Sequence, residues 1–444
     1  MATTYLSKTF GSDTTAGRRK WTWSAWVKRS ALSTESWLFH AYSNGTNENS
    51  IFFDTSDRLC FSIYESGNSN NGRLTSTRKF RDTSAWYHIV VVWDSANSTA
   101  ADRMILYVNG ERLTAFDTNT NGGSNHQTLI NKSGVAHAIG RYGSGTYYFN
   151  GYMTHVHFSD GYALAPTVFG STDSTTGEWK INISPTFTLG TNGFTILKDG
   201  NTITDQSANS NNWTVGGGTL TPTVDNPSNV FATFNTLATY WLASTFSNGN
   251  TTQTTQNSNY AFNTSTLGFQ TGKFYWEAKI VSSGQSDMFG ITGRTNAGGT
   301  THELGKYSDQ YAFNSYSGVS RTNSTDTSYT SQFNSNGTIV QIAVDMTNLK
   351  IHLGVNGVWQ NSSNPSNNTG GLAIGAISTT TDGFYFVGIG DYSNGQGTYS
   401  YNFGNGYFGT TAVSSAGSNA SGNGIFEYDV PTGFTALSTK GLNL

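Results

Sequence analysis

The sequence predicts an all-β protein built from two antiparallel β-sandwiches in tandem. Aromatic residues, which favour strands, make up 14% of the 444 residues, whereas charged residues reach only 11%, against roughly 25% in ordinary globular proteins. An apolar run that ends in Asp, followed by a second run that ends in Asn-Gly, occurs at 88–110 and again at 339–357. Asn and Gly accept the positive φ of a tight type I′ turn, so each pair predicts a hairpin between antiparallel strands.

Residues 1–165 are predicted to form the first sandwich. Aromatic and small residues alternate at 20–27, which is the pattern of a half-buried strand. Turn residues separate further apolar runs by about ten residues, the spacing of strands in a sandwich. These runs predict strands at 50–54, 58–64, 87–93, 104–108, 135–140 and 147–158.

Residues 166–235 are predicted to be an ordered bridging segment between the sandwiches. Four of the six prolines lie here, at positions 166, 185, 222 and 227. Strand-like pieces occur at 193–198 and 212–215. We therefore expect a connector with a small sheet of its own rather than a flexible linker.

Residues 236–444 are predicted to form the second sandwich. Its clearest strand is 273–280, in which alternate side chains should face a buried side and a wetter side. Two further strands, 384–390 and 398–404, flank a loop at 391–397. On the clearest strand, the predicted buried residues are Phe274, Trp276 and Ala278, and the wetter ones are Tyr275, Glu277 and Lys279.

Charge and cysteine content exclude several functions. The formal net charge is -3, and the basic clusters at 18–20 and 78–81 are too short for the basic stripe that nucleic-acid binding requires. Cys60 is the only cysteine, so an internal disulfide is excluded and we expect this residue to be buried. No run of about 18 apolar residues occurs, so we expect no membrane insertion.

The first block resembles a laminin G-like module of the concanavalin A-like lectin and glucanase superfamily. The resemblance rests on Trp23-Ser-Ala-Trp26 and on the sequences at 86–94, 105–110 and 149–158. The second block resembles a SPRY domain, through motifs in family order at 272–280, 289–291, 339–359, 402–404 and 431–434. The charged decorations of eukaryotic SPRY domains are missing, so the peptide-binding role of those relatives does not transfer. Together the two resemblances imply jelly-roll sandwiches.

The whole arrangement is similar to virion structural proteins of tailed bacteriophages from aquatic bacteria. The similarity includes Phe158-Ser-Asp-Gly-Tyr-Ala-Leu-Ala-Pro166 and Thr172-Asp-Ser-Thr-Thr-Gly-Glu-Trp179. In those proteins such modules occur in fibres, spikes and head decorations. The resemblance implies a virion protein that is made in the cytoplasm of the bacterial host and assembles with other virion proteins. It also implies a homo-oligomer, and fibres are commonly trimers, although no heptad pattern specifies a coiled coil here.

Two loops carry the residue types of a sugar-binding site. An exposed aromatic ring can cover the apolar face of a pyranose while polar groups around it bind the hydroxyls. The alternative is that the tyrosines cap the sandwich or pack against a neighbouring subunit. The candidates are Tyr142, Tyr147 and Tyr148 in the loop 141–148, and Asp391, Tyr392, Asn394 and Gln396 in the loop 391–397.

The sequence predicts no catalytic site and no cofactor. Retaining glucanases of the lectin superfamily hold two carboxylates about 5 Å apart through a Glu-x-Asp-x-x-Glu strand. None of the eight glutamates begins such a motif, and Glu178 has no partner carboxylate. His155 and His157 have the spacing of two ligands on one strand face but lack a third, so sheet-surface histidines are favoured. Laminin G-like modules often hold calcium, which makes Asp94 and Asp160 candidate ligands.

The leading hypothesis is a non-enzymatic phage virion protein whose sandwiches adhere to host-surface polysaccharide. Each contact is expected to be weak and to be strengthened by many copies. A purely architectural virion subunit is the first alternative. A surface-polysaccharide depolymerase is the second.

Overall fold

The chain folds almost entirely into strands. The computed structural model describes residues 3–66, 71–143, 145, 147–198, 202–238, 240–241, 244–256, 260–296, 302–391 and 395–443. Strands make up 44% of the structure and helices 5%, which confirms the predicted all-β class. The chain divides into two compact units. Unit 1 comprises Met1–Pro222 and Asn226–Ser228, and unit 2 comprises Thr223–Asp225 and Asn229–Leu444.

Among the described residues of unit 1 there is one α-helix, α1 (Thr15–Arg19), and there are two 3-10 helices, Ala100–Asp102 and Pro166–Val168. Thr14 caps α1 by accepting a hydrogen bond from the Gly17 N–H at 2.9 Å. No helix among the described residues is long and apolar enough to span a bilayer. The strands of unit 1 are β1 (Tyr5–Thr9), β2 (Lys20–Arg29), β3 (Ser36–Asn44), β4 (Asn47–Phe53), β5 (Arg58–Tyr64), β6 (Arg73–Lys79), β7 (Trp86–Asp94), β8 (Met104–Val108), β9 (Glu111–Arg112), β10 (Phe116–Thr120), β11 (Ala136–Ile139), β12 (Gly151–Asp160), β13 (Gly170–Thr172), β14 (Trp179–Ile181), β15 (Phe194–Ile196) and β16 (Thr214–Gly217).

These strands form a sandwich of two antiparallel sheets. One sheet has eight strands in the order β10-β6-β5-β4-β3-β11-β1-β16, and the other has six in the order β15-β12-β2-β7-β8-β9. Large aromatic side chains fill the space between them. Trp23 of β2 stacks on Phe39 of β3 with ring centroids 6.0 Å apart, and Trp21 meets Phe61 edge-on at 5.5 Å. The inward-facing aromatic residues therefore join the two sheets into one core.

Most of the segment predicted as a connector belongs to unit 1. Strand β15 pairs with β12 and extends the six-stranded sheet, while β16 pairs with β1 and extends the eight-stranded sheet. The end of the segment belongs to unit 2, where Phe231 and Phe234 are buried in the core. The segment also contains a small sheet of its own, in which β13 pairs with β14, while the rest of it is shared between the two units.

The segment between β12 and β15 covers the outer face of the six-stranded sheet. Phe169 packs there on Val90 and Val92, two residues of β7 that point away from the core. The Trp179 indole N–H donates to Nδ1 of His88 at 2.9 Å. Both faces of β7 are therefore buried, one in the core and the other under this covering segment.

Unit 2 is a second sandwich. Its strands are β17 (Tyr240–Trp241), β18 (Thr245–Ser247), β19 (Thr252–Thr254), β20 (Ala261–Phe269), β21 (Lys273–Ser282), β22 (Asp287–Thr292), β23 (Gln310–Asn314), β24 (Val319–Thr322), β25 (Thr325–Ser328), β26 (Ile339–Asp345), β27 (Lys350–Val355), β28 (Val358–Trp359), β29 (Leu372–Ala373), β30 (Tyr385–Asp391), β31 (Thr398–Asn402), β32 (Tyr407–Phe408), β33 (Thr411–Ala412) and β34 (Thr435–Ala436).

The two main sheets of unit 2 enclose an aromatic core. One has the order β17-β20-β30-β22-β23-β24-β25, and the other runs β18-β19-β31-β21-β26-β27-β28 with β29 and β34 attached at its side. Phe289 of β22 meets Tyr399 of β31 edge-on with ring centroids 5.5 Å apart. Phe234 meets Tyr401 in the same way at 4.7 Å. The cross-sheet rings make unit 2 a sandwich like unit 1.

The face of β21 that was predicted to be wetter is partly exposed at Lys279 but buried at Tyr275 and Glu277, so the prediction is wrong for these two residues. The Tyr275 ring packs edge-on against Phe426 with centroids 4.9 Å apart. The Glu277 carboxylate accepts the backbone N–H groups of Glu427 and Tyr428 at 2.9 and 2.8 Å. The C-terminal part of the chain lies over this face, and a contact of such long sequence separation is not visible in the alternation of the strand.

Both predicted Asn-Gly hairpins are confirmed. Asn109 and Gly110 have φ angles of 50° and 80°, and Asn356 and Gly357 have 47° and 84°, which are the positive values of a type I′ turn. The turns join β8 to β9 and β27 to β28. In each turn the Asn side-chain oxygen also accepts a backbone N–H of the adjacent strand at 2.8 Å.

The Asp that ends the long strand before each hairpin has the same role in both units. Asp94 lies opposite Lys20 at the start of β2, with the ammonium nitrogen 3.0 Å from its carboxylate. Asp345 lies opposite Lys273 at the start of β21, at 2.9 Å. The repeated sequence pattern therefore encodes the same strand–strand contact twice.

Candidate functional site

An aromatic patch lies on the outer face of the eight-stranded sheet. A register shift in β3 between Trp37 and Phe39 sends Phe39 into the core and turns Trp37 outward. The Trp37 ring stacks on Phe52 of β4 with centroids 4.5 Å apart and an interplanar angle of 7°. Cys60 is buried beside Phe52, as predicted. We define the aromatic patch as Trp37, Tyr42, Phe52, Tyr142, Tyr147 and Tyr148.

The loop between β11 and β12 brings its three predicted tyrosines to this patch. Arg141 and Tyr148 form an isolated bridge, and the Tyr142 N–H donates to the Tyr147 carbonyl at 2.9 Å. Tyr142 is half-buried, with its ring centroid 4.6 Å from that of Trp37. Tyr147 is 49% exposed, with its ring centroid 6.2 Å from that of Tyr142. The loop therefore presents one exposed ring above a ring that is anchored to the sheet.

Polar groups lie directly beside these rings. The Gly143 N–H donates to Nδ1 of His40 at 2.7 Å, so the proton of the neutral imidazole lies on Nε2, which is 3.5 Å from the Glu48 carboxylate. Burial lowers the pKa of His40 and keeps it neutral at pH 7. Burial, together with Glu48, raises the pKa of Tyr142 to about 12, so this hydroxyl remains a hydrogen-bond donor.

The patch has the parts that saccharide recognition requires. Tyr147 offers an exposed ring face, and the partly exposed Glu48 side chain lies beside Tyr142 and His40. The Arg141 guanidinium donates to the Tyr142 and Gly143 carbonyls and lies over the ring of Tyr5, 4.1 Å from its centroid. Sequence patterning did not identify Trp37 or His40 as parts of the site. Their strand alternates poorly because of the register shift, so the pattern gave no signal of an outward-facing tryptophan.

The second loop predicted to bind sugar, 391–397, does not present Asp391 at the surface. Asp391 is fully buried at the end of β30, directly opposite Asp287 of β22, and the Thr255 hydroxyl donates to it at 3.2 Å. Its carboxylate is therefore not a surface group, because β30 continues through this residue into the sheet. Gln396 is exposed, and the predicted Tyr392 and Asn394 lie outside the described residues.

The candidate calcium ligands have partners within the protein. Asp94 binds Lys20, as described above. The two carboxylate oxygens of Asp160 accept hydrogen bonds from the Asn131 amide at 2.6 Å and from the Asn192 N–H at 3.0 Å. Within the described part of the chain, no group of three or more His, Cys, Asp or Glu side chains is placed to hold a metal. Calcium binding stays a prediction.

The two histidines of β12 are not surface residues. His155 and His157 are only 8% and 2% exposed, because the segment between β12 and β15 lies over them. His157 Nδ1 lies 2.9 Å from the Thr195 hydroxyl, and its ring stacks on Phe169 at 5.4 Å. Burial lowers the pKa of His157 well below its ordinary value, so the ring is neutral. These contacts position His157 as part of a packed layer.

Carboxylates lie in two contrasting environments. Glu178 is exposed on the covering segment next to Trp179. Glu277 is buried and accepts four hydrogen bonds, which come from Tyr275, Asn402 and the backbone of the C-terminal segment. Glu277 is therefore held in place by donors on both of its oxygens.

A protein-family model matches the N-terminal part of the chain. Residues 3–168 match the model of the Laminin_G_3 family, described as the concanavalin A-like lectin/glucanases superfamily. This match supports the lectin-like resemblance inferred from the sequence of the first block. No curated protein sequence matches the chain.

Solved structures resemble parts of the chain at low sequence identity and low TM-score. The SPRY domain of human HERC1 is 17% identical, with a TM-score of 0.30, and covers 38% of this chain and 96% of that one. A candidate carbohydrate-binding protein from Bacteroides ovatus is 15% identical, with a TM-score of 0.33, over 49% of this chain and 56% of that one. Domain 4 of the arabinanase AbnA from Geobacillus stearothermophilus, solved with arabinotriose, is 18% identical, with a TM-score of 0.26, over 34% of this chain and 64% of that one.

Proposed function

We propose that the chain is a non-enzymatic adhesion protein that binds polysaccharide through the aromatic patch of unit 1. One observation carries the proposal: Tyr147 is 49% exposed above rings that are fixed to the sheet, and the partly exposed Glu48 side chain lies beside Tyr142. An apolar ring face bordered by hydrogen-bonding groups matches the two kinds of surface of a pyranose. The lectin-like family match of residues 3–168 is consistent with this use of the fold.

The anchored layer beneath Tyr147 gives the patch a rigid base. Trp37 and Phe52 are only 5% and 6% exposed, and Tyr142 packs over Trp37. A ring that is already held in place loses little conformational freedom when a ligand binds. The patch is thus suited to weak contacts that gain strength when many copies bind one polymer.

The aromatic patch is tested by replacing its exposed ring. A glycan array screened with the wild-type protein identifies the polysaccharide for titration. We expect Tyr147→Ala to bind it at least tenfold more weakly, because truncation of an aromatic anchor commonly costs 2 kcal/mol or more at a binding site, about 30-fold in affinity. The matched control is Tyr162→Ala, since Tyr162 lies in the same unit, is 44% exposed and is not part of the patch.

Equal loss in both variants would show that the array signal does not come from the patch. Failure of the wild-type protein to bind any glycan would overturn the proposal and leave the patch as a contact surface between subunits. Repeating the titration with EDTA tests whether calcium takes part.

The proposal that the chain does not cleave its ligand is tested separately. Incubation with the polysaccharide should release no reducing ends. Release that is lost in Glu178→Ala, or in another single carboxylate variant, would establish a depolymerase instead. Glu178 is the first carboxylate to change because it is exposed.

We further propose that this adhesion serves a bacteriophage virion. This part of the proposal is based on the sequence similarity of residues 158–166 and 172–179 to virion proteins. It includes assembly with further copies of this chain and with other virion proteins. Mass spectrometry of purified particles should detect the chain, and its absence from them would exclude a virion role.

A further inference from the structure

Asn-Gly pairs are the places in a protein chain where a side-chain amide is most readily lost. The backbone nitrogen of the glycine attacks the side-chain carbonyl carbon of the asparagine, and the missing Cβ of glycine leaves that nitrogen accessible. The chain contains twelve such pairs. Their surroundings in the fold differ, so the pairs should differ in how fast they react.

Exposure and hydrogen bonding distinguish one pair from the others. Both residues are exposed in three of the described pairs, which are Asn44-Gly45, Asn336-Gly337 and Asn356-Gly357. The Gly337 N–H donates to the Ile280 carbonyl at 2.7 Å, and the Gly357 N–H donates to the Gln341 amide oxygen at 2.6 Å. A nitrogen that is held in this way must break its hydrogen bond before it can turn toward the preceding side chain.

The nitrogen of Gly45 is not held in this way. Its N–H donates to no acceptor among the residues that the structure describes. Gly45 lies in the turn between β3 and β4, its φ is not positive, and no atom lies within 4 Å of the position of an added Cβ. The fold therefore leaves this nitrogen accessible and does not itself require glycine here.

The side chain of Asn44 is polarised for attack. Its Oδ1 accepts hydrogen bonds from the Thr46 N–H at 3.0 Å, from the Thr46 hydroxyl at 2.9 Å and from the Asn47 side-chain amide at 2.9 Å. When a nitrogen adds to Cγ, negative charge develops on this oxygen, and donors that already point at it stabilise that charge. The three donors therefore form a small oxyanion hole within the turn.

We propose that Asn44 is a site of spontaneous modification in the folded protein, at which the side-chain amide is converted to a carboxylate. The Gly45 nitrogen gives its proton to a base in the solvent and forms a bond to Cγ of Asn44. The bond from Cγ to Nδ2 then breaks, and Nδ2 takes up a proton and leaves as ammonia. Water opens the resulting cyclic imide at either of its two carbonyl carbons, which yields aspartate or isoaspartate without any oxidation or reduction.

The modification changes the hairpin that carries part of the aromatic patch. Strand β3 contributes Trp37 and Tyr42 to the patch, and β4 contributes Phe52. A carboxylate at position 44 adds a negative charge to the turn between these strands. Isoaspartate also lengthens the backbone between Tyr42 and Glu48, which are register partners. The reaction itself does not depend on the proposed adhesion function.

The test compares each exposed pair with itself in the folded and the unfolded protein. The full-length chain is incubated at pH 8 in native buffer and in denaturant, and mass spectrometry of its peptides gives the rate of amide loss at Asn44, Asn336 and Asn356. The folded rate divided by the unfolded rate removes the effect of local sequence. We expect this ratio to be at least tenfold larger for Asn44, because a single oxyanion donor can change a rate by about 10²–10³.

Variants of the turn test the two parts of the mechanism. Thr46→Val removes one donor to Oδ1 and keeps the shape of the side chain, so it should slow amide loss at Asn44 about threefold or more in the folded protein and leave the unfolded rate unchanged. The matched control is Thr338→Val, since Thr338 follows Asn336-Gly337 at the same spacing. Gly45→Ala should slow the loss at least tenfold without lowering the melting temperature, because the fold has room for a Cβ there.

Two results would overturn the proposal. One is a ratio of folded to unfolded rate at Asn44 that does not exceed the ratios at Asn336 and Asn356, because the fold would then give this pair no advantage. The other is a wild-type rate at Asn44 in folded Thr46→Val with an unchanged melting temperature, because the turn would then not promote the reaction.

Discussion

Glu277 shows how a single buried residue organises unit 2. Its carboxylate accepts the Tyr275 hydroxyl at 2.8 Å and two backbone N–H groups of the C-terminal segment. The Gln341 amide in turn donates to the Tyr275 hydroxyl at 3.2 Å. Removing one member would leave buried polar atoms without partners, which commonly costs about 1–3 kcal/mol for each atom.

The ionisation of Glu277 predicts that one contribution to the stability of unit 2 is lost as the pH rises. Burial raises the pKa of this carboxyl from 4.5 to about 7, against the hydrogen bonds that favour its ionised form. A carboxyl with a raised pKa in the folded state stabilises the fold fully below pH 4.5, and this contribution is lost as the pH rises through about 7. The difference corresponds to about 3 kcal/mol.

Chemical denaturation between pH 4.5 and pH 8 measures this effect. Buried His352, whose pKa is lowered to about 4, gives unit 2 stability that increases over the same interval, so we expect the free energy of unfolding to rise more steeply with pH in Glu277→Gln than in the wild-type protein. Glu178→Gln is the control, because Glu178 is exposed. An unchanged slope in Glu277→Gln would mean that another group causes the pH dependence.

At the scale of elements, the Asn-Gly hairpins act as docking points for later parts of the chain. A Cβ atom on Gly110 would lie 2.4 Å from the ring of Trp179, and one on Gly357 would lie 2.9 Å from the ring of Tyr428. In both units, therefore, an aromatic side chain from a segment that follows much later packs on the hairpin turn. These turns tolerate only Gly for two reasons, their positive φ and this close contact.

Substitution of Gly110 separates the effect of its contact with Trp179 from the effect of its positive φ. We expect Gly110→Ala to destabilise unit 1 by about 1–3 kcal/mol more than Gly134→Ala, the usual cost of overpacking. Gly134 is the matched control because its φ is +70° and no atom lies within 4 Å of the position of an added Cβ. Thermal unfolding measures both variants. Equal losses would contradict the contact between Trp179 and the turn.

The elements differed in how far the sequence could predict them. Long apolar runs bounded by turn residues predicted β2, β7, β8, β21 and the two hairpins, because local alternation determines such strands. The short strands β15 and β16 were recognised, but their places at the sheet edges were not, since β16 pairs with β1, more than 200 residues earlier. Pairings over such distances depend on tertiary packing rather than local pattern.

The candidate site, like the fold, could be predicted from the sequence only in part. The tyrosines at 142, 147 and 148 were found because aromatic residues in a Gly-rich loop are conspicuous. Trp37 was missed because a register shift changes the face on which it lies. Asp391 was wrongly placed in an accessible loop, because the strand that contains it ends one residue later than its apolar pattern.

At the scale of the whole molecule, each unit contains its own sheets and its own core. The large core cluster of unit 1 runs from Leu6 to Trp213, and that of unit 2 runs from Phe231 to Leu437. The main sheets also consist of strands from one unit each. Because burial of apolar surface is the main stabilising contribution, each unit should fold without the other.

Two fragments, 1–228 and 229–444, test this expectation. Each should show the circular dichroism of a β protein and a cooperative thermal transition. Calorimetry of the full chain should contain both transitions. A fragment that remains unfolded, while the full chain is folded, would show that its stability depends on contacts with the other unit.

The position of the one cysteine has a practical consequence for labelling. Cys60 is fully buried beside Phe52, and burial raises the pKa of its thiol to about 11, so it carries almost no reactive thiolate at neutral pH. A cysteine introduced at Tyr162 or Gln396, both exposed, would then be the reactive thiol. Such single-cysteine labelling variants of either unit can therefore be made without first removing the native thiol.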